Sequence, residues 1–182
     1  GEAFATYIIL EKGNAILFID KHAAHERLLY EKLRRDCGKN YAQMLLEPIT
    51  VTLDKTEYDA ILNNLSAMED AGFEIDDYGM GTVVVRAAPQ IVERDDISDT
   101  VVEMAGYLAK NKRDIMTEKM DWLYKNVACR AAIKAGDKSS EGELMALVEE
   151  LMENPDVKYC PHGRPICFTM TRHELEKRFM RV

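Results

Sequence analysis

The sequence predicts a mixed α+β (α/β) chain arranged in two lobes, on three observations. Two pairs of short apolar runs each flank a glycine-containing turn, as β-hairpins do. Around them, apolar residues recur at helical spacing. A middle block from about 50 to 120 holds strands and helices of its own, so the chain leaves a first lobe, builds a second and returns to finish the first. The expected division is 1–49 with 121–182 as one lobe and 50–120 as the other.

The elements follow in order. Tyr7–Leu10 and Ala15–Ile19 form a hairpin across Gly13-Asn14, and Ala23 to Arg35 is a helix stopped by Gly38-Lys39-Asn40, with Cys37 at its end. Ile49–Leu53 is a strand. Tyr58, Ile61, Leu62, Leu65 and Met68 share a helical face that ends at Gly72. Phe73–Tyr78 and Thr82–Ala87 make a second hairpin across Gly79-Met80-Gly81. The acidic loop Glu93–Asp99 leads to a helix carrying Val101, Val102, Met104 and Leu108, with Ser98 as its expected cap. A further helix runs from Trp122 to about Ala135. Ser140-x-x-Glu143 has the form of a capping box, opening a helix with Leu144, Leu147, Val148 and Leu151 on one face, closed by Pro155. Cys160 to Pro165 is a proline-stiffened loop, Ile166–Met170 a strand, and Thr171-x-x-Glu174 caps a short last helix.

Composition narrows the function. With 24 basic and 32 acidic residues the net charge is −8, which argues against strong DNA binding by this chain alone, since that affinity comes from neutralising phosphates. No apolar run is long enough to span a bilayer. The N-terminus lacks the basic and apolar stretches of a signal peptide, and Gly1 stands in place of Met, so a cytoplasmic domain cut from a longer protein is expected. None of the four cysteines forms a C-x-x-C pair, which disfavours a disulfide framework. Cys167, inside an apolar run, reads as a core residue.

Three segments carry chemistry. In Asp20-Lys21-His22-Ala23-Ala24-His25-Glu26, at the end of a strand and the start of a helix, His22 and Glu26 lie one turn apart on one face. Leu29 and Leu33 continue that face, and Asp20 can point into the same region. The same residues also fit a plain N-cap at Asp20 and a surface-paired Glu26. In Cys160-Pro161-His162, extended backbone sends residues two apart to one side, so a sulfur and an imidazole can meet one ion. Together these donors suit zinc or a similar transition metal, while Asp20 and Glu26 offer the hard oxygens that Mg²⁺ or Mn²⁺ prefer. A mixed set invites two ions, a recurring solution for phosphodiester hydrolysis. In the third segment, Ala128-Cys129-Arg130, Cys129 reads as core first and ligand second, and Arg130 faces phosphate or solvent.

These segments resemble the C-terminal endonuclease and dimerisation domains of the MutL mismatch-repair family. Asp20 through Glu31 is similar to the family's D-Q-H-A-x-x-E-x-x-x-x-E motif, with Lys21 where Gln is usual. Ala128-Cys129-Arg130, Cys160–Pro165 and Phe179-Met180-Arg181 resemble its A-C-R, C-P-H-G-R-P and F-x-R motifs, in the family's order. The resemblance implies a nicking endonuclease, with Asp20, His22, Glu26, Cys160 and His162 as metal ligands and Cys129 among or beside them. Asp20 and Glu26 would be essential to catalysis, supported by Glu31, Arg130, Arg164 and Arg181. It implies Mn²⁺ or Mg²⁺ for catalysis, Zn²⁺ in a regulatory or structural role, and ATP only in a separate N-terminal domain.

The resemblance also implies a homodimer formed through the lobe of both chain ends, with 50–120 as an external or regulatory lobe. Gln43-Met44-Leu45-Leu46-Glu47-Pro48 resembles the family's sliding-clamp-binding segment, through Gln43, Met44, Leu45, Leu46 and Pro48; the same stretch also reads as a core strand linking the lobes. A clamp already on DNA would raise the local concentration that an acidic domain lacks. A MutS-type mismatch sensor is expected to act through the full-length protein, in a cytoplasmic, nucleoid-associated setting. Two other readings stand beside this one: a dimerisation or adaptor module with a purely structural or regulatory zinc, and a zinc hydrolase acting on a small molecule.

Overall fold

The computed structural model describes residues 1–36, 38–114, 116–134 and 136–181, and for residues 36, 38 and 39 the backbone only. Cys37 and Ala135, where two helices were expected to end, lie outside the described residues. The chain divides into two units, 1–29 with 132–182, and 30–131.

The first unit is a four-stranded antiparallel sheet, β1 (Glu2–Ala3), β2 (Tyr7–Lys12), β3 (Ala15–Asp20) and β7 (Cys167–Thr171), in the order β1-β2-β3-β7. The hairpin turns at Gly13, whose φ of 61° is open to glycine at no steric cost. Side chains alternate across the sheet. Ile8 and Ile19 face a core with Leu10 and Leu17, closed by Ala23, Ala24 and Leu28 of α1 (Lys21–Asp36) and by Leu147, Val148 and Leu151 of α6 (Glu141–Glu153). Ile9, Phe18 and Phe168 align on the opposite face, as do Ile16 and Met170. Phe18 and Phe168 stack there at 4.8 Å, and Phe168 is largely exposed.

Both capping boxes form as expected: Ser140 with Glu143 opens α6, and Thr171 with Glu174 opens α7 (Arg172–Arg178). Cys160 and Ile166 join the core, but Cys167 does not. Its strand is the outer strand of the sheet, so its side chain is exposed rather than covered, contrary to its apolar sequence context.

In the second unit, β4 (Ala42–Thr52), β6 (Thr82–Pro89) and β5 (Glu74–Gly79) form an antiparallel sheet in that order. The expected helix over 58–68 is two, α2 (Lys55–Leu62) and α3 (Leu65–Asp70). Asn63 and Asn64 turn their amides back onto the carbonyls of Asp59 and Ala60, which competes with continuing the helix. Helix α4 (Ile97–Lys110) starts before Ser98, which is therefore not its cap. Helix α5 (Met116–Ala131) begins six residues before Trp122, over a polar stretch without an apolar period to betray it. Strand β4 begins at Ala42 rather than Ile49, and its register against β6 jumps between Met44 and Ile49. The bulge throws Leu46 out to 99% exposure and accommodates Pro48.

Candidate metal centre

The pairing of β7 against β3 explains why two distant segments meet. With Ile19 opposite Cys167, the helix that follows β3 and the loop that precedes β7 lie at the same end of the sheet. Asp20 N–H donates to the Ile166 carbonyl at 2.8 Å, which fastens the two segments at their junction. Glu26, Cys160 and His162 then offer ligand atoms that all lie within 4.8 Å of one another. An ion with bonds of about 2.0–2.3 Å at tetrahedral angles holds its ligand atoms roughly 3.3–3.8 Å apart, so a shared ion would draw the group slightly together.

The loop is shaped for this. Gly163 N–H donates to the Cys160 carbonyl with the glycine at φ 83°, and Cys160 N–H donates to the Arg164 carbonyl. Arg164 N–H points at the Cys160 sulfur at 3.4 Å. Cys160 is buried and His162 about half exposed, so the imidazole stands at the mouth of the cluster. The Arg164 side chain itself is exposed.

Glu26 is the feature that demands a partner. Its side chain is wholly buried, and neither carboxylate oxygen receives a hydrogen bond. His162 Nδ1 lies 2.9 Å from Oε1, the separation of an ion pair, yet without the alignment of a hydrogen bond. A buried carboxylate with unsatisfied oxygens carries a cost of several kcal/mol unless a cation compensates it. Carboxylate, thiolate and imidazole are a donor set that fits a divalent transition metal.

The other expected ligands are placed differently. Asp20 is half-buried, and its Oδ1 accepts from Ala23 N–H at 2.9 Å, capping α1. His22 places Nδ1 2.8 Å from the Ile133 carbonyl. Neither belongs to the three-residue cluster. Cys129, Arg130 and Glu31 belong to the second unit. There Cys129 is exposed rather than core, and Arg130 donates to Glu103 at 2.6 Å. Burial pushes the Glu103 carboxyl up, but bonds from Arg130 and Asn126 outweigh it and hold it below the usual range. Arg181 lines an open cavity of about 470 Å³ with Gly13 and Asn14, at the hairpin end of β3 and so at the opposite end from Asp20.

Two residues gained roles that the sequence did not announce. His25 Nδ1 accepts from Ile133 N–H at 3.0 Å; its place one turn after His22 was the available signal. Lys21 is fully buried, and its ammonium donates to Glu2 Oε1 (2.6 Å), the Asp137 carbonyl (2.6 Å) and Ser139 Oγ (3.2 Å). Three acceptors match its three donors.

Among the described residues, no helix is long and apolar enough to cross a membrane. Residues 1–139 match the family model described as MutL C terminal dimerisation domain. The chain is 35% identical over 184 residues to the DNA mismatch repair protein MutL of Caldanaerobacter subterraneus, covering all of this chain and 31% of that protein. It is 35% identical over 185 residues to the protein of the same name from Heliobacterium modesticaldum and 31% over 185 residues to that of Clostridium botulinum, covering 28% of each. The chain thus spans less than a third of the length of these curated relatives. The family match stops before Cys160, whereas the matches to the relatives run the whole chain.

Proposed function

Because the chain belongs to the MutL C-terminal dimerisation family, we propose that it is a metal-dependent nicking domain that hydrolyses phosphodiester bonds in duplex DNA during mismatch repair. The observation that carries this reading is the buried Glu26 carboxylate, left without a hydrogen-bond donor beside Cys160 and His162. Glu26, Cys160 and His162 would hold a divalent cation, with Asp20 and His22 on the adjoining turn of α1. Such a cation, Mn²⁺ or Mg²⁺ for catalysis and Zn²⁺ for regulation or structure, supplies Lewis acidity toward the phosphate and a more acidic bound water. Asp20 and Glu26 supply the negative charge that keeps it in place, and the capping bond to Ala23 N–H fixes the Asp20 carboxylate. The half-exposed His162 leaves the mouth of the site open to a backbone phosphate.

In this reading the chain's net charge of −8 makes its own hold on DNA weak, so partners deliver the substrate. Gln43, Met44, Leu45, Leu46 and Pro48 would dock on a replication sliding clamp, with Leu46 as the protruding anchor. A MutS-type sensor would act through the full-length protein, and 50–120 would be the external or regulatory lobe. The sheet face bearing Ile9, Phe18 and Phe168 suits a second copy of this chain.

That same face favours a second reading, a dimerisation module whose metal is structural. Nicking of supercoiled plasmid by the full-length protein with Mn²⁺ separates the two. Wild type should nick, while Asp20→Asn, which keeps a capping oxygen, should not nick yet should still sediment as a dimer. Nicking by Asp20→Asn at the wild-type rate removes Asp20 from catalysis. No nicking by wild type, with metal bound, leaves the dimerisation module.

A further inference from the structure

The Ile133 peptide lies between two imidazoles of α1. Its carbonyl is 2.8 Å from His22 Nδ1, and its N–H donates to His25 Nδ1 at 3.0 Å. A carbonyl oxygen only accepts, so His22 Nδ1 carries a proton. An amide N–H only donates, so His25 Nδ1 carries a lone pair. One peptide therefore imposes opposite tautomers on two neighbouring rings: in the neutral forms, His22 presents a lone pair at Nε2, and His25 holds its proton there.

We propose that His25 is a positioning residue that acts through the Ile133 peptide, fixing His22 in the tautomer whose Nε2 can bind a divalent cation. The inference rests on the metal centre proposed above. Its physical content is that a ligating histidine needs its other ring nitrogen occupied by a donor bond, which sets both tautomer and ring orientation. Here the peptide does this for His22, and His25 holds the peptide. Ile133 follows α5 and lies in irregular backbone, outside any helix or strand among the described residues. Histidines three apart on a helix share a face, so a single peptide spans both.

Long-range imidazole ¹⁵N–¹H correlation spectra of this chain without metal, near pH 8 where ordinary histidines are neutral, test the proposal on the wild type. His22 should be protonated at Nδ1 and His25 at Nε2; like tautomers in both rings overturn it. His25→Asn, whose Oδ1 occupies the place of Nδ1 and can accept from Ile133 N–H, should keep the His22 signature and the Zn²⁺ affinity. His25→Leu should mix the His22 tautomers and weaken Zn²⁺ binding by roughly ten- to a hundredfold. An unchanged His22 spectrum in folded His25→Leu overturns the role of His25. Opposite tautomers in a wild type that binds no Zn²⁺ overturn the metal centre, and with it the purpose of the His25 contact. Bound Zn²⁺ with like tautomers overturns the positioning role of His25 alone.

Discussion

Oε1 of Glu26 and Nδ1 of His162 approach to 2.9 Å, the carboxylate fully buried and the imidazole about half exposed. The two halves of the contact have different needs. The buried oxygens require positive charge, and the exposed ring offers the route by which it enters. This asymmetry separates a ligand site from a surface ion pair, in which both partners remain solvated.

Replacing Glu26 by Gln should therefore act in opposite directions with and without metal. In chelator, the neutral amide relieves an unsatisfied buried charge, and unfolding free energy should rise by about 1–3 kcal/mol. In Zn²⁺ the variant should bind at least about tenfold more weakly. Denaturant unfolding in the two buffers measures both, and a less stable Glu26→Gln in chelator contradicts the burial argument.

Saturating metal should stabilise the wild type. At a hundred times Kd the gain is about 2.7 kcal/mol, or roughly 5–10 °C in Tm for a chain of this size. Cys160→Ser and His162→Ala should each lose most of that shift. A Zn²⁺-dependent shift that survives in both variants would locate the binding elsewhere.

Alkaline pH should weaken the second unit through Tyr30. Burial, then the hydroxyl bond to Asp121, push its phenol up to about 12 from 10.0. As pH rises, the unfolded chain loses this proton before the folded one, so the contribution is complete below about 10 and is lost through about 12. The Tm gap between wild type and Tyr30→Phe should narrow over that window. A constant gap would show that the folded phenol ionises normally.

Truncating Met44 and Leu46 to Ala together should change stability by less than about 0.5 kcal/mol, since their side chains are 64% and 99% exposed. If the bulge is a clamp anchor, the same change should abolish binding to a replication clamp by surface plasmon resonance. Undiminished binding would make the bulge a feature of the strand alone.

The sequence made some of this legible and hid the rest for physical reasons. Hairpins and capping boxes were readable because their determinants are local: Gly13 supplies the turn, and Ser140 with Glu143 the cap. The contact of the 160–165 loop with α1 was readable only as a demand of chemistry, because strand pairing between Ile19 and Cys167 leaves no local mark. The exposure of Cys167 was misread, since an apolar run does not tell an outer strand from an inner one. The polar first turns of α5 and the break at Asn63-Asn64 escaped because apolar period reports burial, not backbone hydrogen bonding. His25 was visible as a residue but silent as a contact, because its partner is a peptide N–H that any sequence supplies.

The buried Lys21 ammonium has a consequence for inheritance. Its ion pair with Glu2 joins two positions that no local pattern relates. Losing the acidic partner alone would strand a cation in the interior at about 3–5 kcal/mol, whereas changing both to neutral residues avoids that penalty. Positions 2 and 21 are thus epistatic: a lineage that trades Lys21 for an uncharged amide frees position 2 to drift, and one that keeps the lysine does not.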